Sequence, residues 1–495
     1  MDNRKENYSV IFKTTFLFGF VQVARLLLTV IKNKVVAMLL GPQGVGIISI
    51  YNNAIDLIRT GSGLGISQSA VKDISEAKAT GDRIEFSTTI SVIKKVVYFT
   101  SFLGLIVTIL LSPLLSKWGF NDYKHLLAYI ALSIAVFFNI FLENQLSILK
   151  GMRMMRELAK TSLIGTFIGL IVGVPSIYLW REDGIVVSII CTSVATALYT
   201  AIYVAKIDYD RIKLTAREVY KRATPMMKMG VSLMMSNFLA FLSNLLILGF
   251  IQKQGGLLDV GFFHAGSVLV ISYFSMVTTA MGTDFYPRIS ECSNDNTKLS
   301  EEIYKQSLVG LMILQPLLVG FILYLPLIIK ILYTPEFAIV SNYVDIAILG
   351  VVISVISNCY GFLIIVKRAA KFYFIVSLIF SLSLIPLYMF FYTYFNILGL
   401  GIAYALDVIA QFIVYYLYCN RHYGMSIHKT VITDLSITVA LIYITKVLRD
   451  TNNPYMIYGI GSILIAVVLY VAIIKLKKNM GLDILQIMKS KLNKK

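Results

Sequence analysis

The sequence predicts an all-α polytopic membrane protein: two parallel six-helix lobes around a central cleft, plus two extra C-terminal helices. Three observations predict it. Hydrophobic residues make up 57% of the 495 positions and charged residues 15%, with a mean hydropathy of +0.76; soluble domains are about 45–50% apolar and about 25% charged. The apolar residues fall in long blocks separated by short polar stretches, each block near the ~20 residues that cross a bilayer as a helix. The chain also matches itself at a spacing of 215 residues, which is six blocks. No alternating β-barrel pattern is present, so helices must satisfy the backbone in hydrocarbon.

Fourteen spans are expected, over 14–37, 44–69, 90–112, 124–148, 158–180, 185–206, 229–251, 258–283, 305–332, 341–366, 370–392, 398–419, 431–447 and 454–475. The thirteenth is the shortest. The first block is too long for a signal-peptide core and is followed by no A-x-A site, so it reads as a retained span. Lys and Arg set the orientation. Of 45, 32 fall in segments that share a side with the N-terminus and seven in the segments opposite. By the positive-inside rule both termini are cytoplasmic.

The formal net charge of +18 is explained by that bias. Nucleic acid is excluded as a partner because no polar segment is long enough for a binding domain. No loop exceeds about 25 residues, which leaves no room for a soluble catalytic domain, so no enzyme is expected. Cys191, Cys292, Cys359 and Cys419 form no C-x-x-C pair, and His125, His264, His422 and His428 are scattered; neither a disulfide framework nor a metal site is expected. GSGLG at 61–65 lacks the Lys-Ser/Thr of a phosphate loop and reads as close helix packing or a hinge.

The repeat rests on ordered matches. Gly41, Val45 and Gly46 correspond to Gly256, Val260 and Gly261; Ile74-Ser75 to Ile289-Ser290; Arg153 to Arg368; Ser162-Leu163-Ile164 to Ser377-Leu378-Ile379; and Gly184 to Gly399. Pro113-Leu114 and Lys117 match Pro326-Leu327 and Lys330 at 213, a two-residue slip. Six spans is an even number, so the halves share an orientation, as in carriers that expose a cleft to each side alternately. The expected organisation is residues 1–215 as the first lobe, 216–425 as the second, and 426–495 as two additional helices with a basic cytoplasmic tail.

Four segments then suggest a family. LLGPQGVGIISIYNNAIDLI (39–58), FYPRIS (285–290), LYTPEF (332–337) and ILGLGIAYAL (397–406) resemble, in order and spacing, segments of the MOP exporter superfamily. The branch they resemble is the oligosaccharidyl-lipid flippases, the O-antigen (Wzx-type) translocases. Thr334 departs from the Gly common there, and spans 13 and 14 exceed the usual twelve and are similar to the fourteen of the lipid II flippases. The resemblance implies movement of an undecaprenyl-diphosphate-linked oligosaccharide, an O-antigen or related surface-polysaccharide unit in lipopolysaccharide or polysaccharide biosynthesis, from the inner to the outer leaflet of a bacterial inner membrane. Membrane lipids and polysaccharide-assembly proteins are the implied partners.

Charges within spans are expensive and mark candidate sites. Arg25 and Arg59 are expected at similar depth, roughly 15 Å from the cytoplasmic ends of adjacent spans at 1.5 Å per residue. Lys32 follows Arg25 on the same face, and Lys34 is nearby. A diphosphate-binding ladder is one reading, since Arg recognises phosphate bidentately; neutralisation of Arg59 by Asp56 three residues away is the other. The repeat equivalents of Arg25, Lys32 and Arg59 are Ala240, Ile247 and Phe274, so the fold itself requires no cation there. Asp407, Asp345 and Glu143 are candidates for coupling to Na+ or H+; the alternatives are pairing with a cation or simple solvation. Asn237 and Asn244 share a face of span 7, for sugar contacts or helix packing. No cofactor is expected. A multidrug or toxin extruder of the same superfamily is the main alternative; a glycan polymerase, a glycosyltransferase or a passive scaffold fits less well.

Overall fold

The computed structural model describes residues 2–210, 212–451 and 453–480; Arg211 and most of the expected basic tail lie outside the described residues. The described chain is helical throughout and holds no strand. Two compact units account for it: residues 1–261 with 332–334, and 262–331 with 335–495.

The first unit contains α1 (Asp2–Ser62), α2 (Ile66–Ala79), α3 (Arg83–Phe120), α4 (Leu126–Gly151), α5 (Met155–Ile171), α6 (Gly173–Trp180), α7 (Asp183–Ala205) and most of α8 (Ala216–Ser267). The second contains α9 (Tyr273–Glu291), α10 (Asn296–Leu323), α11 (Leu325–Leu332), α12 (Val340–Val366), α13 (Ala370–Tyr423), α14 (Lys429–Asp450) and α15 (Gly461–Met480). The repeat boundary expected at 215/216 and the packing boundary near Gly261 are different partitions. The helix up to Gly261 begins the second repeat in sequence and packs within the first unit.

Among the described residues eleven helices are long and apolar enough to cross a membrane. Three of them are interrupted by a non-helical residue: Gly41 in α1 (φ 63°, ψ −164°), Gly256 in α8 (φ 75°, ψ −174°) and Asn396 in α13 (φ 49°, ψ −134°). These breaks fall where loops were expected between spans 1 and 2, 7 and 8, and 11 and 12. Span 2 is less regular than its sequence suggested. It turns at 63–65, with Leu64 and Gly65 at positive φ, and resumes as α2. Beyond the turn α2 runs along α4: Ser147 Oγ donates to the Ser67 carbonyl at 2.6 Å and Ser75 Oγ to that of Gly151 at 3.2 Å.

The repeat is written into the backbone. Gly41 and Gly256 share one break conformation, and Arg181 (φ 52°, ψ −124°) and Asn396 share another; both pairs are 215 apart. Arg153 and Arg368 end their helices at φ 58° and 59°. In the first, the Met154 N–H reaches back to the Leu149 carbonyl at 2.9 Å; in the second, Ala369 N–H reaches Ile364 at 3.1 Å. This is the helix-ending turn in which a left-handed residue lets the next N–H cap an orphan carbonyl. Asp82 and Asp295, at the slipped spacing of 213, both N-cap the following helix through Oδ1, to Ile84 N and Glu85 N and to Thr297 N and Lys298 N.

Two glycines allow a backbone-to-backbone approach inside the first unit. A Cβ on Gly46 would lie 2.4 Å from the Leu257 carbonyl oxygen, and one on Gly261 would lie 1.9 Å from that of Pro42. Gly46 and Gly261 are 215 apart, as are Pro42 and Leu257, so the contact is reciprocal under exchange of the repeats.

The last two helices are fastened by polar groups. Arg449 of α14 makes a bidentate pair with Asp345 of α12, both distances 2.8 Å, with side chains 7% and 5% exposed. Gln315 Nε2 of α10 donates to Thr438 Oγ1 of α14 at 2.7 Å, and Lys475 of α15 pairs with Asp434 of α14.

Gly46→Ala and Gly261→Ala are expected to destabilise the protein by about 1–3 kcal/mol each, the cost of forcing atoms into a filled space. Gly459→Ala, with nothing within 4 Å, is expected to be neutral; thermal unfolding in detergent measures all three. Arg449→Met takes the bidentate partner from the buried Asp345, leaving Lys446 Nζ at 3.6 Å, and is expected to cost about 3 kcal/mol, most of it recovered in Asp345→Leu, Arg449→Met. The same unfolding curves check it.

Candidate functional site

A charged cluster lies within the first unit, where α1 meets α4. Arg59 stands between two carboxylates. Its Nη2 is 3.1 Å from Asp56 Oδ1, one turn back on α1, and its Nη1 is 3.2 Å from Glu143 Oε2 on α4. Glu143 is eight residues before Gly151, roughly 12 Å along the helix axis of α4, and Arg59 lies in the last turn of α1, just before the turn at 63–65 beyond which the chain resumes as α2. The side chains remain 27% (Arg59), 39% (Asp56) and 38% (Glu143) exposed. Charges do not tolerate hydrocarbon, so their exposed surfaces face water. The sequence offered two readings of Arg59, and the Asp56 pair is present. The third member is Glu143, a coupling candidate by sequence whose partner the sequence does not name, because the register between α1 and α4 leaves no mark in either segment.

The cluster is not closed on itself. Arg59 Nε and Asn53 Oδ1, one turn before Asp56, are both buried without a hydrogen-bond partner among the described residues. The single contact to each carboxylate contrasts with the bidentate Asp345–Arg449 pair. Phe238 of α8 packs on Gly61, two residues beyond Arg59; a Cβ on that glycine would lie 2.9 Å from the ring.

The other expected cations are placed differently. Arg25 is exposed, and among the described residues no carboxylate pairs with its guanidinium. Lys32 Nζ lies against α5, 3.6 Å from where a Cβ on Gly169 would be. Lys34 Nζ donates to the Tyr333 carbonyl oxygen, a backbone acceptor without a sequence signature. At the repeat equivalent of Arg59, Phe274 is buried, edge-on to Phe321 at 5.2 Å.

In the second unit Asp345 gives both carboxylate oxygens to Arg449, with Lys446 Nζ at 3.6 Å. Asp407 of α13 is half-buried, and its Oδ1 has no hydrogen-bond partner among the described residues. On α8, Asn237 is exposed and Asn244 half-buried, neither side chain bonded among the described residues. Among the described residues no group of three or more His, Cys, Asp or Glu is placed to hold a metal ion.

The segments behind the family resemblance carry geometry more than chemistry. LLGPQGVG holds the break at Gly41 and the close approach at Gly46. Arg288 of FYPRIS clamps α9 to α10, through Glu302 at 2.6 Å and Gln306 at 2.7 Å. Phe337 of LYTPEF is fully buried, edge-on to Phe262. In ILGLGIAYAL a Cβ on Gly401 would lie 2.5 Å from the Tyr343 carbonyl oxygen.

The fold is similar to that of a lipid II flippase, MurJ, in an inward closed conformation, with a TM-score of 0.72 at 14% identity over 95% of this chain and 99% of that one. It is also similar to an inward-facing multidrug resistance MATE family transporter of the MOP superfamily, with a TM-score of 0.62 at 14% identity over 81% and 94%. A MOP superfamily transporter from Pyrococcus furiosus gives 0.56 at 15% identity over 83% and 94%. At such identities the likeness is one of fold. No curated protein matches the chain by sequence. The superfamily resemblance read from the four segments is therefore matched in three dimensions. Residues 35–342, more than half of the chain, match the polysaccharide biosynthesis protein family, and the chain belongs to that family, on the fold of the MOP superfamily.

Proposed function

We propose that this multi-pass membrane protein is a flippase for an undecaprenyl-diphosphate-linked oligosaccharide, an O-antigen or related surface-polysaccharide unit. It would carry that lipid from the inner to the outer leaflet of a bacterial inner membrane by alternating access. The observation that carries the reading is Arg59: a part-exposed guanidinium in the last turn of α1, held between carboxylates of two helices, at a position the other repeat fills with a buried phenylalanine. A diphosphate carries about two negative charges, and taking it through a low-dielectric passage unpaired costs several kcal/mol. Arg59 and Arg25, whose guanidinium meets no carboxylate among the described residues, offset that cost with charge-assisted bonds. The family supports a glycan cargo, and the MurJ-like fold supports a lipid carrier. A multidrug extruder shares the fold but would gain nothing from exposed arginines facing cationic drugs.

The rest of the proposal follows the sequence. Residues 1–215 and 216–425 serve as the two lobes, both termini are cytoplasmic, and the protein works beside polysaccharide-assembly proteins. Coupling to Na+ or H+ falls to Asp407, which has no cation partner among the described residues, in contrast to Asp345. Lys32 supports the diphosphate path, and Asn237 and Asn244 offer amides to sugar.

In proteoliposomes, Arg25→Ala and Arg59→Ala are each expected to lower flipping of undecaprenyl-diphosphate oligosaccharide at least ~100-fold, with lysine variants partly active. A stable Arg25→Ala, Arg59→Ala protein that flips normally would overturn the reading. Asp407→Asn is expected to abolish the response of flipping to an imposed ion gradient while leaving substrate binding unchanged. Single cysteines at 82, 209 and 295 are expected to label only from the cytoplasm, and those at 119 and 255 only from outside.

A further inference from the structure

We infer that Asp56 and Glu143 are built-in competitors of the diphosphate: they hold Arg59 when no substrate is bound, yield it when the diphosphate arrives, and take it back to drive release. The inference rests on the proposed function, since it assigns these carboxylates a role in the same site.

Three features carry it. The first is how Arg59 is held. Each carboxylate makes one contact longer than 3 Å, from two different helices, at a part-exposed location. In the second unit the same chemistry makes a fixed joint: Asp345 and Arg449 engage through two bonds at 2.8 Å with less than a tenth of either side chain exposed. A monodentate, solvated pair exchanges partners readily, whereas a buried bidentate pair does not. The second feature is the unused donor capacity. A guanidinium carries five N–H groups, and here Nε is buried without a partner among the described residues. The third is charge. Two carboxylates against one guanidinium leave a surplus of one negative charge, so an incoming anion meets no net attraction until the carboxylates withdraw.

The consequence is a cycle of counter-ions. When the diphosphate bonds Arg59, two carboxylates from α1 and α4, each about three-fifths covered by protein, lose their shared cation. That penalty raises the energy of the bound state and favours reclaiming Arg59. A carrier needs such a term, because a site that only attracts its cargo binds tightly and turns over slowly. Asp56 and Glu143 are thus positioning residues that set affinity and release, with Arg59 as the group that touches substrate.

The test is binding of farnesyl diphosphate to the purified full chain in detergent, beside flipping in proteoliposomes. Asp56→Asn and Glu143→Gln, on separate helices, are each expected to tighten binding about tenfold, the worth of one charge-assisted bond, and to slow flipping. In an Arg59→Ala background the gain is expected to fall below about twofold, because the competition requires the guanidinium. Equal or weaker binding by whichever variants fold overturns the inference, as a purely structural role for the carboxylates would produce. Undiminished tightening without Arg59 also overturns it, since that is simple repulsion between the carboxylates and the ligand. If the unsubstituted protein binds no farnesyl diphosphate at all, it is the proposed function that fails.

Discussion

Hydrocarbon offers no hydrogen bonds, and this single constraint organises the molecule. Every backbone polar group in a span must find its partner along the same helix, so departures from helical geometry are confined to a few positions. Among the described residues eleven positions have positive φ, and six of them, Gly41 with Gly256, Arg181 with Asn396 and Arg153 with Arg368, pair at 215. Because such positions are scarce, their recurrence at one spacing is informative. Side chains obey the same rule. Thr108, Ser112, Thr161, Ser176 and Thr200 return their hydroxyls to carbonyls of the preceding turn, which satisfies them without a neighbouring helix. Charged groups with partners on another helix, Arg59 with Glu143 and Asp345 with Arg449, bind helices to one another.

The fold was largely legible in the sequence because it is set by properties that sequence displays directly. Apolar block length marks the apolar helices, and the self-match marks the pairs of backbone breaks. Features that depend on three-dimensional register were hidden. The Asp56–Arg59 pair was readable because helical spacing puts residues three apart on one face. Its completion by Glu143 was not, since nothing local tells which turn of α4 faces which turn of α1. Lys34 bonds a backbone carbonyl, and any residue could have supplied that acceptor. Arg449 lies past the end expected at 447 for the thirteenth span, and its burial depends on α14 continuing to Asp450.

The division between scaffold and chemistry is also visible in where residues lie. The segments that carry the family likeness supply breaks, close approaches and clamps, and of the charged cluster only Asp56 falls within them. Arg25, Arg59, Glu143 and Asp407 lie outside. The shared fold can therefore stay constant while the side chains that meet cargo change, as function generally varies on a fixed architecture.

The Asp345–Arg449 joint has a consequence for the order of biosynthesis. Its members are 104 residues apart. At roughly 5–20 residues per second, α12 enters the membrane on the order of 5–20 seconds before its arginine has been made. During that interval Asp345 has no guanidinium and must be sheltered by water, by a proton or by the insertion machinery. Arrival of α14 ends the wait. A ribosome that stalls before residue 449 would leave the nascent chain with Asp345 lacking that guanidinium.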